Sequence, residues 1–231
     1  MARSSRKINV YLEVGKKKTF AGAIDWPGWS RAGGDKESAL QALLDYGPRY
    51  EHVLHATQLG FKAPASTSAF VVVERLKGNA TTDFGAPGIA PASDSKSVPP
   101  KQLQRLEMIL KASWQAFDAV VETASGKALR TGPRGGGRQL EKMIQHLLES
   151  DTGYVHQVGW KFQLDKTGSL DQQLEQTRYE IVNSLRASAR GEIPKKGPRG
   201  GIRWTARYFV RRVAWHLLDH AWEIEDRLIS D

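Results

Sequence analysis

The chain has 231 residues, 34 lysines and arginines against 25 aspartates and glutamates, and no cysteine. The absence of cysteine excludes disulfide scaffolds, cysteine-ligated zinc and iron–sulfur sites and a cysteine nucleophile, so any metal site must use histidine with aspartate or glutamate. An apolar fraction of 40% and a charged fraction of 26% are ordinary for a folded protein of one large or two small domains.

The sequence has neither a membrane-spanning nor an export pattern. Its longest purely apolar run, 69–73, is far shorter than the roughly 18 residues that a spanning helix needs. After the basic stretch 1–7, charged residues recur before any apolar segment of the length of a signal peptide is complete. We therefore expect a cytoplasmic protein without a membrane partner. The formal net charge of +9 permits an anionic ligand or nucleic acid, although the basic residues are dispersed among acidic ones.

The first 78 residues contain three short apolar-rich runs and one segment of helical periodicity. The runs are 8–14, 19–24 and 70–76, and the helical segment begins at Asp35 and is interrupted at Gly47 and Pro48. Short runs bounded by turn residues are typical of strands, while spacings of three and four apolar residues are typical of a helix. The pattern predicts a small β-β-α-β domain over residues 1–78.

Composition changes at residues 79–99, which are rich in glycine, proline, alanine and serine and are predicted to form a linker. Four amphipathic helices follow. The first begins near Leu103 and ends at Gly126, the second covers 139–154, the third runs from Ser169 to before Gly191, and the fourth covers 205–228. Residues 100–231 are therefore predicted to form an all-α four-helix bundle, which gives an α+β two-domain chain.

A short repeat, GPRGGGR at 132–138 and GPRGGIR at 197–203, precedes the second and the fourth predicted helix. A glycine-rich loop with two arginines at a helix amino terminus is suited to hold an anion. The alternative is a flexible, solubilising connection that recurs because glycine and proline punctuate helices.

Histidine is the residue type that can carry metal chemistry here. His216 and His220 lie one turn apart on the fourth predicted helix, a spacing by which one helix supplies two metal ligands. Two interpretations of this helix face remain open, a solvated polar face or a narrow polar strip lining a cavity inside the bundle. The strip also contains four charged residues, Arg212, Asp219, Glu223 and Arg227.

An open catalytic metal site needs a third protein ligand. His146, on the second predicted helix, borders the apolar stripe of that helix and is the first candidate. His156 is the competitor and ranks lower, because Gly153 is expected to fray the helix before it.

With this pattern of helices and histidines, the region from Pro100 to the end resembles the DinB-like superfamily of four-helix bundles, which includes thiol-dependent S-transferases and mycothiol-dependent isomerases. In that family one histidine of the second helix and an HxxxH pair of the last helix bind a divalent metal at one end of the bundle. The resemblance implies that His146, His216 and His220 bind such an ion, zinc or nickel. The family often has Gly-Gln after the last histidine, where this chain has Ala221 and Trp222.

The first 78 residues are similar to a HicB-type antitoxin domain in their β-β-α-β order and in the turn Trp26-Pro27-Gly28. No DNA-binding helix-turn-helix or ribbon is recognisable beside them. The similarity therefore implies a fold and not an antitoxin function.

Two functions follow. The first is a metal-dependent enzyme, an S-transferase or isomerase that uses a low-molecular-weight thiol, in which the metal deprotonates a bound thiol or water. Asp219 or Glu223 would then orient a ligating imidazole, and the arginine loops would hold anionic groups of the thiol. The second is a non-enzymatic binding or scaffold protein, a possible homodimer, whose basic surface contacts nucleic acid.

Overall fold

The computed structural model describes residues 7–131 and 139–229, so the first glycine- and arginine-rich repeat lies outside the described residues. The chain divides into two compact units with the boundary between Lys96 and Ser97. The expected mixed α/β class is confirmed, since a four-stranded sheet is followed by four long helices. No helix among the described residues combines the length and the apolar character needed to cross a membrane.

The first unit is built on a four-stranded sheet. Its strands are β1 (Ile8–Val14), β2 (Thr19–Ala23), β3 (Ser30–Gly33) and β4 (Phe70–Lys77). They lie in the order β3-β2-β1-β4, and β1 pairs antiparallel with β2 and parallel with β4. The predicted β-β-α-β order lacked β3, which pairs with β2. A strand of four residues with the sequence SRAG has no apolar alternation, so only its pairing identifies it.

Two helices, α1 (Lys36–Asp45) and α2 (Gly47–Leu54), follow β3, and the predicted interruption before Pro48 is confirmed. Asp35 begins α1, since its side chain accepts the Ser38 backbone N–H at 2.8 Å. An aromatic cluster fills the core of this unit. The Trp29 ring stacks on the Tyr50 ring at 5.8 Å, and its indole N–H donates to the Leu43 carbonyl at 2.8 Å.

The segment after β4 is held to the sheet by two glutamates. It forms the short helix α3 (Ala80–Phe84) and a 3-10 turn at Ala92–Ser95. The buried carboxylate of Glu13 in β1 accepts from the Gly88 and Ile89 backbone N–H groups at 2.8 and 3.1 Å, and Glu74 in β4 accepts from the Ala92 N–H. These bonds make the segment part of the first unit. Its composition, by contrast, predicts a linker that follows this unit.

The second unit consists of four long helices, and the last of them contacts the other three. They are α4 (Pro100–Ala124), α5 (Leu140–Val158), α6 (Leu170–Ala189) and α7 (Ala206–Arg227). The four predicted helices are confirmed, and Ser169, where the third is predicted to begin, caps α6 by accepting from the Gln172 N–H. The predicted end of α5 near Tyr154 was wrong, because the helix continues through Gly153 to Val158.

Candidate metal centre

The central helix α7 carries the polar strip into the interior of the second unit. Thr205 caps the helix, accepting the Tyr208 N–H at 3.3 Å. His216 and His220 are 6% and 7% exposed, and Arg212 and Arg227 are buried to the same degree. The solvated-face interpretation is therefore wrong for the two histidines and the two arginines, which are interior, while Asp219 and Glu223 on the same strip are partly exposed.

The three histidines His146, His216 and His220 lie together. The His146 ring on α5 is 5.0 Å from the His216 ring and 5.3 Å from the His220 ring, centroid to centroid, and the two α7 rings are 4.8 Å apart. One nitrogen of each ring lies within 4.8 Å of the others, so the three could bind one metal ion. His156 is not part of the cluster, since it stacks on Phe162 and its Nδ1 lies 3.2 Å from the Trp160 carbonyl oxygen.

Glu223 fixes the proton on His220. The hydrogen bond from His220, together with that from Arg227, holds the pKa of the Glu223 carboxyl below its ordinary value. Glu223 Oε2 lies 3.1 Å from His220 Nδ1. Because a carboxylate can only accept, Nδ1 of His220 is the donor in this bond, and the other ring nitrogen, Nε2, faces His216.

The two α7 histidines meet through their Nε2 atoms, which are 3.2 Å apart. Two lone pairs at this distance repel unless a proton or a cation lies between them. Zn–N bonds of about 2.05 Å in tetrahedral geometry separate two nitrogens by about 3.3 Å. The observed Nε2 separation is that of a hydrogen bond between the two rings, and it is also the separation that a shared ion requires. Three imidazoles around such an ion leave a fourth coordination position for water or substrate.

Glu223 is itself held in place by Arg227. Its Oε1 accepts from Arg227 Nη1 at 2.8 Å, and Arg227 Nε donates to the Arg130 carbonyl at 2.8 Å. A carboxylate that orients a ligating imidazole and is fixed in turn is the usual outer layer of a histidine metal site. The sequence predicts that Asp219 or Glu223 orients a ligating imidazole. In the structure it is Glu223 that forms the hydrogen bond with His220.

Two further side chains border the cluster on the side towards the start of α7. The Tyr154 ring lies 5.8 Å from the His216 ring, and Arg212 Nη2 donates to the Tyr154 hydroxyl at 3.1 Å. Burial raises the pKa of Tyr154, so the phenol stays protonated at neutral pH. The sequence did not predict the contact between Tyr154 and His216, because helix periodicity does not specify the register between two helices.

His146 of the cluster and the neighbouring Glu223 form the partly exposed side of the site. His146 is half-buried, and the Glu223 side chain is 35% exposed. Imidazole suits zinc and nickel among the divalent ions. The donor set, the Nε2 separation and the orienting carboxylate therefore all fit a three-histidine metal site.

Comparison of the chain with protein-family models, with curated proteins and with solved structures found no match in any of the three.

Proposed function

We propose that the second unit is a divalent-metal-dependent enzyme of the DinB-like type, with S-transferase or isomerase chemistry on a low-molecular-weight thiol. One observation carries the proposal. Three side chains from two helices, His146 on α5 and the pair His216 and His220 on α7, bring one ring nitrogen each to within 4.8 Å of the others, and both α7 histidines are buried. Zinc or nickel is the expected ion.

A bound divalent ion lowers the pKa of a thiol or water in its open position, so the thiolate or hydroxide forms near neutral pH. Protein residues around this open coordination position favour binding of the ion and of an anion. Glu223 and Arg227 keep His220 in the tautomer that presents Nε2. Arg212, one turn before His216 and bonded to the Tyr154 hydroxyl, adds a positive charge on the same helix. Burial of the strip strengthens these interactions because little water screens them.

The absence of cysteine determines the source of the reactive sulfur atom. Since the chain has no cysteine, the reactive thiol must arrive on a diffusible co-substrate. The protein then holds and orients that thiol and does not form a thiol adduct of its own.

Metal analysis tests the centre. We expect the purified full-length protein, loaded with Zn²⁺ and dialysed, to retain one ion per chain, and both His146→Ala and His216→Ala to lose it. His156→Ala is the matched control on α5, because it removes a histidine outside the cluster and is expected to retain the ion. Retention of metal by His216→Ala, or no metal in the wild type, would overturn the proposal.

Cobalt substitution tests the thiol. Addition of N-acetylcysteine to the Co²⁺ protein is expected to produce a sulfur-to-cobalt charge-transfer band in the near ultraviolet, since a thiolate would occupy the open position. The oxygen analogue N-acetylserine is the control and is expected to give no such band. A metal-loaded protein without the band would contradict thiol chemistry and leave an activated water as the nucleophile.

A further inference from the structure

A cavity lies at the carboxyl-terminal end of α5, about 15–20 Å along the helix axis from His146. It has a volume of about 410 Å³, which is within the range that holds small molecules. The side chains that define its character are His156, Trp160, Lys161, Ile202 and Arg203. None of them belongs to the histidine cluster.

The second glycine- and arginine-rich repeat forms one wall of the cavity as a fixed hairpin. Lys196 and Ile202 form an antiparallel bridge, and the Gly197 N–H donates to the Gly201 carbonyl at 2.8 Å. The hairpin is also bonded to α5, where the Trp204 N–H donates to the Gln157 carbonyl at 3.0 Å. These bonds make the repeat an ordered wall, in contrast to the flexible connection considered for it from sequence.

The hairpin is seated directly against the end of α5. Gly159, with φ of 96°, ends the helix, and a Cβ there would overlap the Arg203 side chain at Nε. The Arg203 guanidinium thus lies across the glycine, where Nη1 donates to the Pro194 carbonyl at 3.1 Å. This close packing fixes a five-donor cation at the wall of the cavity.

The charge at the cavity is positive. Lys161 and Arg203 line it, and among the described residues no carboxylate does. The nearby Glu180 accepts the Trp160 indole N–H at 2.7 Å but is not part of the lining. Four basic residues lie at the cavity or on the hairpin beside it, namely Lys161, Lys195, Lys196 and Arg199. None of them forms an ion pair within residues 7–131 and 139–229.

The cavity also offers apolar surface. The Trp160 ring forms part of its lining, and Ile202 is 83% exposed at its edge. Ile202 thus adds aliphatic surface to the aromatic surface of Trp160.

We infer that this cavity binds a small organic anion, a phosphate monoester or a carboxylate with an apolar portion. The anionic group meets Arg203 and Lys161 in charge-assisted hydrogen bonds, and the apolar portion contacts Trp160 and Ile202. The site is independent of the proposed metal chemistry, because the two share no residue.

Three probes of similar size test the inference on the full-length protein, namely phenyl phosphate, benzoate and benzyl alcohol. Binding is followed by NMR of the indole N–H signals, with the Trp160 signal assigned from Trp160→Phe. We expect phenyl phosphate or benzoate to shift the Trp160 signal saturably and benzyl alcohol to leave it unchanged. The stronger of the two anions identifies the phosphate or the carboxylate as the preferred group.

Charge reversal at the cavity provides the matched comparison. Lys161→Glu is expected to weaken anion binding about tenfold or more, since attraction becomes repulsion. Lys127→Glu makes the same change at an exposed residue beyond the far end of α7, about 33 Å away, and is expected to bind normally. Normal binding by His216→Ala would show that the site does not depend on the metal centre.

Several outcomes would overturn the inference. They are equal shifts with benzyl alcohol, equal weakening by Lys127→Glu and Lys161→Glu, or no saturable shift with either anion. Binding of a single-stranded oligonucleotide with strong salt dependence, without binding of either small anion, would instead make the hairpin a nucleic-acid surface.

Discussion

The carboxylate of Glu223 decides which nitrogen of His220 faces the cluster, and this role can be separated from that of a metal ligand. Glu223→Gln keeps the shape of the side chain but removes the charge that favours the Nδ1–H tautomer. We expect the affinity for Zn²⁺ to fall about 10- to 100-fold while one ion per chain still binds at saturation. Competition with a chromophoric chelator measures the affinity.

Glu122→Gln is the control for this substitution, because Glu122 is an exposed residue of α4. An unchanged affinity in Glu223→Gln would show that Glu223 does not orient the ligand. A complete loss of metal at saturation would make Glu223 a ligand itself.

Asp151, buried in α5, should make the stability of the second unit depend on pH. Its Oδ1 has no hydrogen-bond partner within the described residues, and burial raises its pKa to about 8 against the opposing influence of Arg178. The folded chain then keeps the proton over a range in which the unfolded chain, with a pKa of 3.8, has released it. The free energy of unfolding therefore falls by about 1.4 kcal/mol for each unit by which the pH rises between those two pKa values.

Asp151→Asn removes this titration while keeping the shape of the side chain. We expect the free energy of unfolding of the wild type, relative to that of the variant, to decline as the pH rises from about 4 to about 8 and to be constant above that. Urea unfolding across the range gives both curves. Parallel curves would contradict a protonated Asp151 in the folded chain.

At the residue scale, sequence predicts the histidine cluster because two ligands share one helix at a spacing of four residues. It could not choose between Asp219 and Glu223, which lie on the same arc of α7. That choice depends on side-chain rotamers and on Arg227, which holds Glu223 in place.

At the scale of elements, two glycines of α5 have opposite structural roles. Gly153 lies inside the helix, and a Cβ there would meet nothing within 4 Å. Gly159 ends the helix in the left-handed region and touches Arg203. Gly153→Ala is therefore expected to stabilise the protein by about 0.5–1 kcal/mol, and Gly159→Ala to destabilise it by about 1–3 kcal/mol.

Thermal and urea unfolding of the two variants check this pair, and each serves as the control for the other because both add one methyl group to the same helix. Gly159→Ala should also displace the hairpin and weaken anion binding, which Gly153→Ala should not do. Destabilisation by Gly153→Ala would mean that the helix breaks near that residue, as the sequence alone suggested.

Sequence predicts the long elements well and the short ones poorly. The four helices of the second unit repeat their apolar residues over several turns, so their pattern is unambiguous. Strand β3 and helix α3 are too short to have a pattern, so β3 is identified only by its pairing with β2 and α3 by its bond to Glu13 of β1. The linker prediction for residues 79–99 shows the same limit, because composition does not reveal that Glu13 and Glu74 bind this segment.

At the scale of the whole molecule, all three histidines of the cluster belong to the second unit, so the thermodynamic effect of metal should be confined to it. An ion that binds only the folded state at 100 times its dissociation constant stabilises that state by about 2.7 kcal/mol. Hydrogen exchange measured by mass spectrometry is expected to slow in α5 and α7 on addition of Zn²⁺ and to stay unchanged in β1 to β4. His216→Ala should abolish the effect, whereas slower exchange in the sheet as well would mean that the metal acts on both units or binds at a second place.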